Sequence, residues 1–104
     1  MIYAETSATL VPGKMAEYQA LVSKEVLPIW AKLGIKLVGS WHTTVGNTFE
    51  TVALFAYDDM AQMQKQTAAR NKDKDYIAVS QKAASIMLSS VTRIMEPHPW
   101  SAMK

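Results

Sequence analysis

Residues 35–59, IKLVGSWHTTVGNTFETVALFAYDD, constrain this chain more than any other stretch. Two runs rich in Val, Thr, Phe and Trp flank a Gly46-Asn47 pair, and Asp58-Asp59 follows the second run. Branched and aromatic side chains suit a pleated surface, and Gly beside Asn suits a tight reversal. The pattern predicts strands at 35–45 and 48–57 joined as a hairpin. A two-residue turn sets Trp41 opposite Val52, Gly39 opposite Leu54 and Leu37 opposite Ala56, an apolar face. Lys36, Val38, Ser40, His42, Thr51, Ala53, Phe55 and Tyr57 then share the other, mixed face. A loop of three or four residues shifts this register, and one residue of slip turns a strand's side chains over.

The flanking chain predicts an α+β order around this hairpin. Ile2 to Val11 reads as a first strand, with Tyr3, Glu5, Ser7 and Thr9 on one side and Ala4, Thr6, Ala8 and Leu10 on the other. Pro12-Gly13 ends it. Lys14 to Leu33 carries a stripe at helical spacing, mostly apolar: Tyr18, Leu21 or Val22, Glu25 or Val26, Ile29 and Leu33. Pro28 lacks the N–H that a helix interior needs, so a kink or break is expected there, and Gly34 is a stop. Asp59 with Gln62 predicts a capping box and a helix to about Arg70. A loop over 71–74 precedes a helix capped by Asp75 and running to about Leu88. Ser89 to Glu96 completes the strands, and Pro97, Pro99 and Trp100 form a tail.

The economical solution is a ferredoxin-like βαββαβ fold with a four-stranded antiparallel sheet, strands one and three central, and helices on one face. Trp41, Phe49, Phe55 and Tyr57 cannot all hide beneath helices on a single side. An uncovered apolar sheet face is a partner surface, which predicts a homodimer.

Composition removes several function classes. At 104 residues the chain predicts a single domain over 1–104. A net charge of +2 with interleaved signs, as in Asn71-Lys72-Asp73-Lys74-Asp75, predicts no nucleic-acid partner. No cysteine is present, so disulfides, thiolate metal sites and cysteine nucleophiles are excluded, and a reducing, cytoplasmic setting is expected. The first residues carry no basic run like that of a signal peptide, and no apolar run is long enough for a membrane span.

Four segments, LVPGKMAEY, LPIWAKLGIKLVGSW, VALFAYDD and RIMEPHPWS, occur in an order and spacing that resembles the NIPSNAP family. The resemblance spans nearly the whole chain. It implies the dimeric α+β barrel, a fold shared with cofactor-independent monooxygenases, haem-degrading enzymes and small isomerase- or decarboxylase-like proteins. Family members often carry Glu, Arg and Tyr at alternate positions of the first strand, where this chain has Ala4, Thr6 and Ala8. A His often precedes the Leu-aromatic pair of the third strand, where this chain has Ala53. If those polar groups served a reaction, this chain lacks them.

His42 is the candidate for acid–base work, because imidazole titrates near neutrality. The competing role is a strand histidine bonded within an interface. Tyr57 is the candidate to donate a hydrogen bond to a ligand and orient it, against a merely half-buried amphipathic role. Thr51 shares their expected face, and Tyr3 and Glu5 are expected to join across the sheet. Tyr3, Trp41, Thr51, Phe55 and Arg93 form the expected ligand-binding set. Arg70 and Arg93 each offer a fork for a carboxylate, or else a salt bridge. Trp30, Trp41 and Trp100 either line an aromatic pocket or fill the core. His42 and His98, far apart and without cysteine, make no metal signature, and no cofactor motif occurs.

These residues predict a protein that binds, and in one version converts, a small hydrophobic or aromatic molecule. The alternatives are a non-catalytic assembly protein and a cofactor-free oxygenase- or isomerase-like enzyme.

Overall fold

Alternation in the first strand decides which side of the sheet becomes the interior. In the computed structural model, which describes residues 1–104, β1 spans Ile2–Leu10. Ile2, Ala4, Ala8 and Leu10 are buried on one side, while Tyr3, Glu5, Ser7 and Thr9 stay partly open on the other. Helices cover the side of Ala4 and Leu10. The order continues with α1 (Met15–Leu21), a π-helical turn (Val22–Val26), α2 (Leu27–Leu33), β2 (Lys36–His42), β3 (Glu50–Tyr57), α3 (Met60–Lys72), α4 (Lys74–Ala84) and β4 (Met87–Met95). All strand pairs are antiparallel and the sheet order is β2-β3-β1-β4, the expected ferredoxin-like α+β arrangement with strands one and three central.

The hairpin keeps its expected register at one end and loses it at the other. Trp41 lies opposite Val52 and Gly39 opposite Leu54, but between Leu37 and Gly39 the register shifts. Leu37 therefore meets Phe55 rather than Ala56, and Lys36 takes Ala56. Val38 is the extra residue of a bulge, which bends the strand and re-aims Leu37. The connection is also wider than two residues, with β2 ending at His42 and β3 starting at Glu50. Asn47 accepts the Phe49 N–H on its own side chain at 3.1 Å, so that N–H is spent locally and not in the ladder. Gly46, at φ 115°, takes a conformation that few other residues tolerate.

The expected kink or break at Pro28 takes the form of a change in helix type, not an end to the helix. The first helical stretch runs on through residues 15–33, and a wider π turn sits just before the proline. Pro28 has no N–H for the Lys24 carbonyl and its ring would press on that carbonyl, so a shifted bonding pattern there removes the conflict. Gly34 ends the stretch in the left-handed region, at φ 73°, with its N–H and that of Ile35 returning to Ala31 and Trp30.

Asp59 caps α3 as expected, accepting from the Gln62 N–H at 2.8 Å. The Gln62 side chain returns to the Asp58 N–H at 2.6 Å, one residue before the cap. The expected loop over 71–74 shrinks to Asp73, which ends α3 and, in place of Asp75, caps α4 by accepting the Tyr76 N–H at 2.9 Å.

Two apolar clusters hold helices to sheet. Ile2, Ala4 and Tyr57 form one, with Phe55 and Met63 against it. Val26, Ile29 and Val79 form the other, with Leu21, Val22, Trp30, Leu33 and Tyr76. The far face of the sheet carries no helix. There Trp41 is 56% and Val91 67% exposed, and the Trp41 indole folds over Gly39, where a Cβ would come within 2.6 Å of it. Trp41 and Trp100 are thus surface residues, and only Trp30 of the three packs inward. No helix is long and apolar enough to cross a membrane.

Candidate ligand-binding site

Four residues of the first helical stretch, Tyr18, Val22, Val26 and Trp30, line one cavity although each is four positions from the next. In a regular α-helix such a series drifts about 40° per step, about 120° in all. The π turn over Val22–Val26 winds more slowly and cancels much of that drift. The insertion that accommodates Pro28 therefore also builds a continuous wall.

The cavity, about 380 Å³, lies between this wall, α4 and the covered face of the sheet. Thr6, Ala8, Thr51, Ala53 and Phe55 form its floor, and Tyr76, Val79 and Ala83 close it from α4. A smaller cavity of about 250 Å³ adjoins it, sharing Thr6, Trp30, Phe55, Arg70 and Thr92 and adding Tyr57, Met63 and Thr67. Trp30 meets Phe55 edge-on at 4.9 Å, with ring planes 86° apart, at the junction of the two. Ala4, Thr6, Ala8 and Ala53, the positions that depart from the family pattern, all line one cavity or the other. Small side chains there leave room that longer ones would fill.

The polar groups of this space are hydroxyls and one cation. Thr6 and Thr92 share a hydrogen bond at 2.9 Å between Oγ1 atoms. Thr51 Oγ1 donates to the Trp41 carbonyl at 3.2 Å. Burial pushes the Tyr18 phenol above its ordinary pKa, and a hydrogen bond with Thr51 only partly opposes this. Burial likewise raises Tyr57, against the opposing charge of Arg70. Both phenols are protonated at neutral pH and act as donors, not bases. Arg70 is the only charged residue lining either cavity.

The expected site residues divide between the two faces of the sheet. Thr51, Phe55 and Tyr57 line the cavities. His42 shares the covered side but lies outside them, in a shallow exposed groove with Met15, Tyr18 and Trp41. It pairs with Thr51, six positions along β3 from Tyr57, or about 20 Å. His42 and Tyr57 are therefore not brought together. Tyr3 and Glu5 do not join them, because both point to the opposite face. Tyr3 lies near Leu54 and the tail residues Pro97 and Trp100. Arg93 is also on that face, bonded through Nε and Nη2 to Glu5 Oε1 at 3.0 and 2.9 Å.

Tyr18, Trp30 and Arg70 stand at the cavity although they are absent from the expected ligand-binding set. For Arg70 the signal was present: Met63, Thr67 and Arg70 recur at i, i+4 and i+7, the inward stripe of α3. No three His, Asp or Glu side chains converge as metal ligands would.

A family model described as NIPSNAP matches residues 3–102. Among solved structures, a NIPSNAP family protein from Agrobacterium tumefaciens superposes with a TM-score of 0.94 at 24% identity, covering 99% of this chain and 98% of its own. An uncharacterized NIPSNAP domain protein from Burkholderia xenovorans gives 0.91 at 20% identity, covering 97% and 98%. The fold extends to a Nitrosomonas europaea protein provisionally described as an antibiotic biosynthesis monooxygenase, with a TM-score of 0.71 at 15% identity and coverage of 93% and 98%. No curated protein matches the chain.

Proposed function

The chain belongs to the NIPSNAP family, and from that premise we propose that it binds a small hydrophobic or aromatic molecule between its sheet and its helices. The observation that carries this is the cavity itself: about 380 Å³, walled by aliphatic and aromatic side chains, with a few convergent donors. In this reading Tyr57 orients the ligand and Thr51 and Phe55 line its site. Trp30 and Tyr18 join them.

Conversion of the ligand is the second reading, because the fold is shared with a protein described as a monooxygenase. A cofactor-free oxygenation needs a base to deprotonate its substrate. No carboxylate or imidazole lines either cavity, and His42 stands outside them. Binding is therefore the function favoured by the geometry.

The uncovered sheet face, with Trp41 and Val91 exposed, suits a second copy of the chain and supports the reading of a homodimer.

Isothermal titration with neutral 1-naphthamide tests the cavity. Binding to the wild type, lost in Ala53→Phe, is the expected result, since the new ring occupies the cavity floor. Equal binding of the amide by both forms, or binding by the wild type of neither the amide nor the corresponding acid, 1-naphthoate, overturns the proposal.

A further inference from the structure

We propose that Arg70 is the anion-binding residue of this cavity, so that its ligand carries a carboxylate on its apolar body. The inference rests on the cavity reading and narrows it to a chemical class.

Three observations carry it. Arg70 is half-buried and is the one charged side chain on the walls of two adjoining, otherwise uncharged cavities. No carboxylate pairs with it: the acidic groups in ion pairs are engaged by Lys14, Lys32, Lys82 and Arg93. Its donors reach only the Asn71 amide oxygen, at the long distances of 3.3 and 3.4 Å. The guanidinium is nonetheless held in place, its carbon 5.0 Å from the centre of the Tyr76 ring. Packing over an aromatic ring fixes the planar fork without consuming its N–H groups.

The surroundings suit a carboxylate. Guanidinium offers two parallel donors at the spacing of two carboxylate oxygens. Tyr57, kept protonated by burial, is close enough to sense the Arg70 charge, and the Thr67 and Thr92 hydroxyls border the same small cavity. The apolar body then extends past Trp30 and Phe55 into the larger space. Arg93 makes the contrast plain, since Glu5 already satisfies it on the far face.

The test compares 1-naphthoate with its uncharged near-isostere 1-naphthamide by isothermal titration. The wild type is expected to prefer the acid by about tenfold or more, the worth of a charge-assisted hydrogen bond. Arg70→Gln is expected to abolish that preference, bringing acid and amide to equal affinity. Arg70→Lys retains the charge without the fork and is expected to keep part of it. Equal affinity of wild type for acid and amide overturns the proposal, as does a preference that survives Arg70→Gln. The wild-type comparison needs no variant, so a misfolded substitution cannot obscure it. If the amide binds and Ala53→Phe removes it while the acid gains nothing, the carboxylate inference falls and the cavity stands. If neither compound binds, both fall.

Discussion

Lys32 Nζ sits 2.6 Å from Asp73 Oδ2 and so ties α2 to the junction between α3 and α4. Asp73 also caps α4 through the Tyr76 N–H, and Tyr76 is the ring on which Arg70 rests. One aspartate thereby connects three helices to the cavity wall.

That linkage predicts acid sensitivity. The hydrogen bond from Lys32, followed by that from the Tyr76 N–H, holds the Asp73 carboxyl below its ordinary pKa. The folded chain thus keeps this carboxylate charged at a pH where the unfolded chain has protonated it. The stabilisation is complete above the unfolded value of about 4 and is lost as pH falls through the lower, folded value. Thermal midpoints measured from neutrality down to pH about 3 should fall more steeply for the wild type than for Asp73→Asn. Parallel curves would refute the assignment.

The buried phenols predict the opposite limit. Tyr18 and Tyr57 have raised pKa values, chiefly from burial. The unfolded chain ionises them near pH 10, before the folded chain does, so stability present below about pH 10 is lost as pH rises beyond it. Ultraviolet titration should show Tyr18 and Tyr57 ionising late, together with unfolding. Tyr18→Phe and Tyr57→Phe should each flatten the alkaline fall in midpoint. Ionisation of Tyr18 and Tyr57 at about pH 10 in the folded protein would count against this.

Leu10 is the most completely buried large side chain, at 1% exposure. Leu10→Ala should cost about 2–5 kcal/mol, the sum of lost burial and an unfilled cavity. Val45→Ala, at a position 92% exposed, should change stability by less than about 0.5 kcal/mol. Urea unfolding of the two variants checks the contrast.

The sheet face predicts an assembly. Native mass spectrometry of the purified protein should give twice the mass of the chain, and Val91→Glu should give the single mass without altering the circular dichroism. Carboxylates set into an apolar contact are costly to desolvate, so the effect should be close to complete. A monomeric wild type would leave the exposed Trp41 and Val91 without this explanation.

Much of the fold was legible because its signals are local. Alternation in β1 put Ala4, Ala8 and Leu10 on one side and Tyr3, Glu5 and Thr9 on the other, and packing then made the first side the interior. Asp59, Gln62 and Gly34 marked helix ends that the backbone then uses. The candidate site was legible only in pieces. Thr51, Phe55 and Tyr57 belong to it, whereas Tyr3, Trp41 and Arg93 face away and His42 lies beyond its edge.

The sequence by itself determined the order of elements, the central place of the first and third strands, and the family. Those follow from period, caps and turn chemistry, each written within a few neighbouring residues. The tertiary structure alone decided which residues meet. The Val38 bulge changes the strand's register, and the π turn before Pro28 brings Tyr18, Val22, Val26 and Trp30 into line. The bulge comes from fitting one strand against the next, the π turn answers Pro28 but lines a wall only once packed on the sheet, and the charge balance across the sheet pairs Arg93 with Glu5 and leaves Arg70 facing the cavity. Such choices depend on packing and electrostatics between residues distant in the chain, which local spacing does not encode.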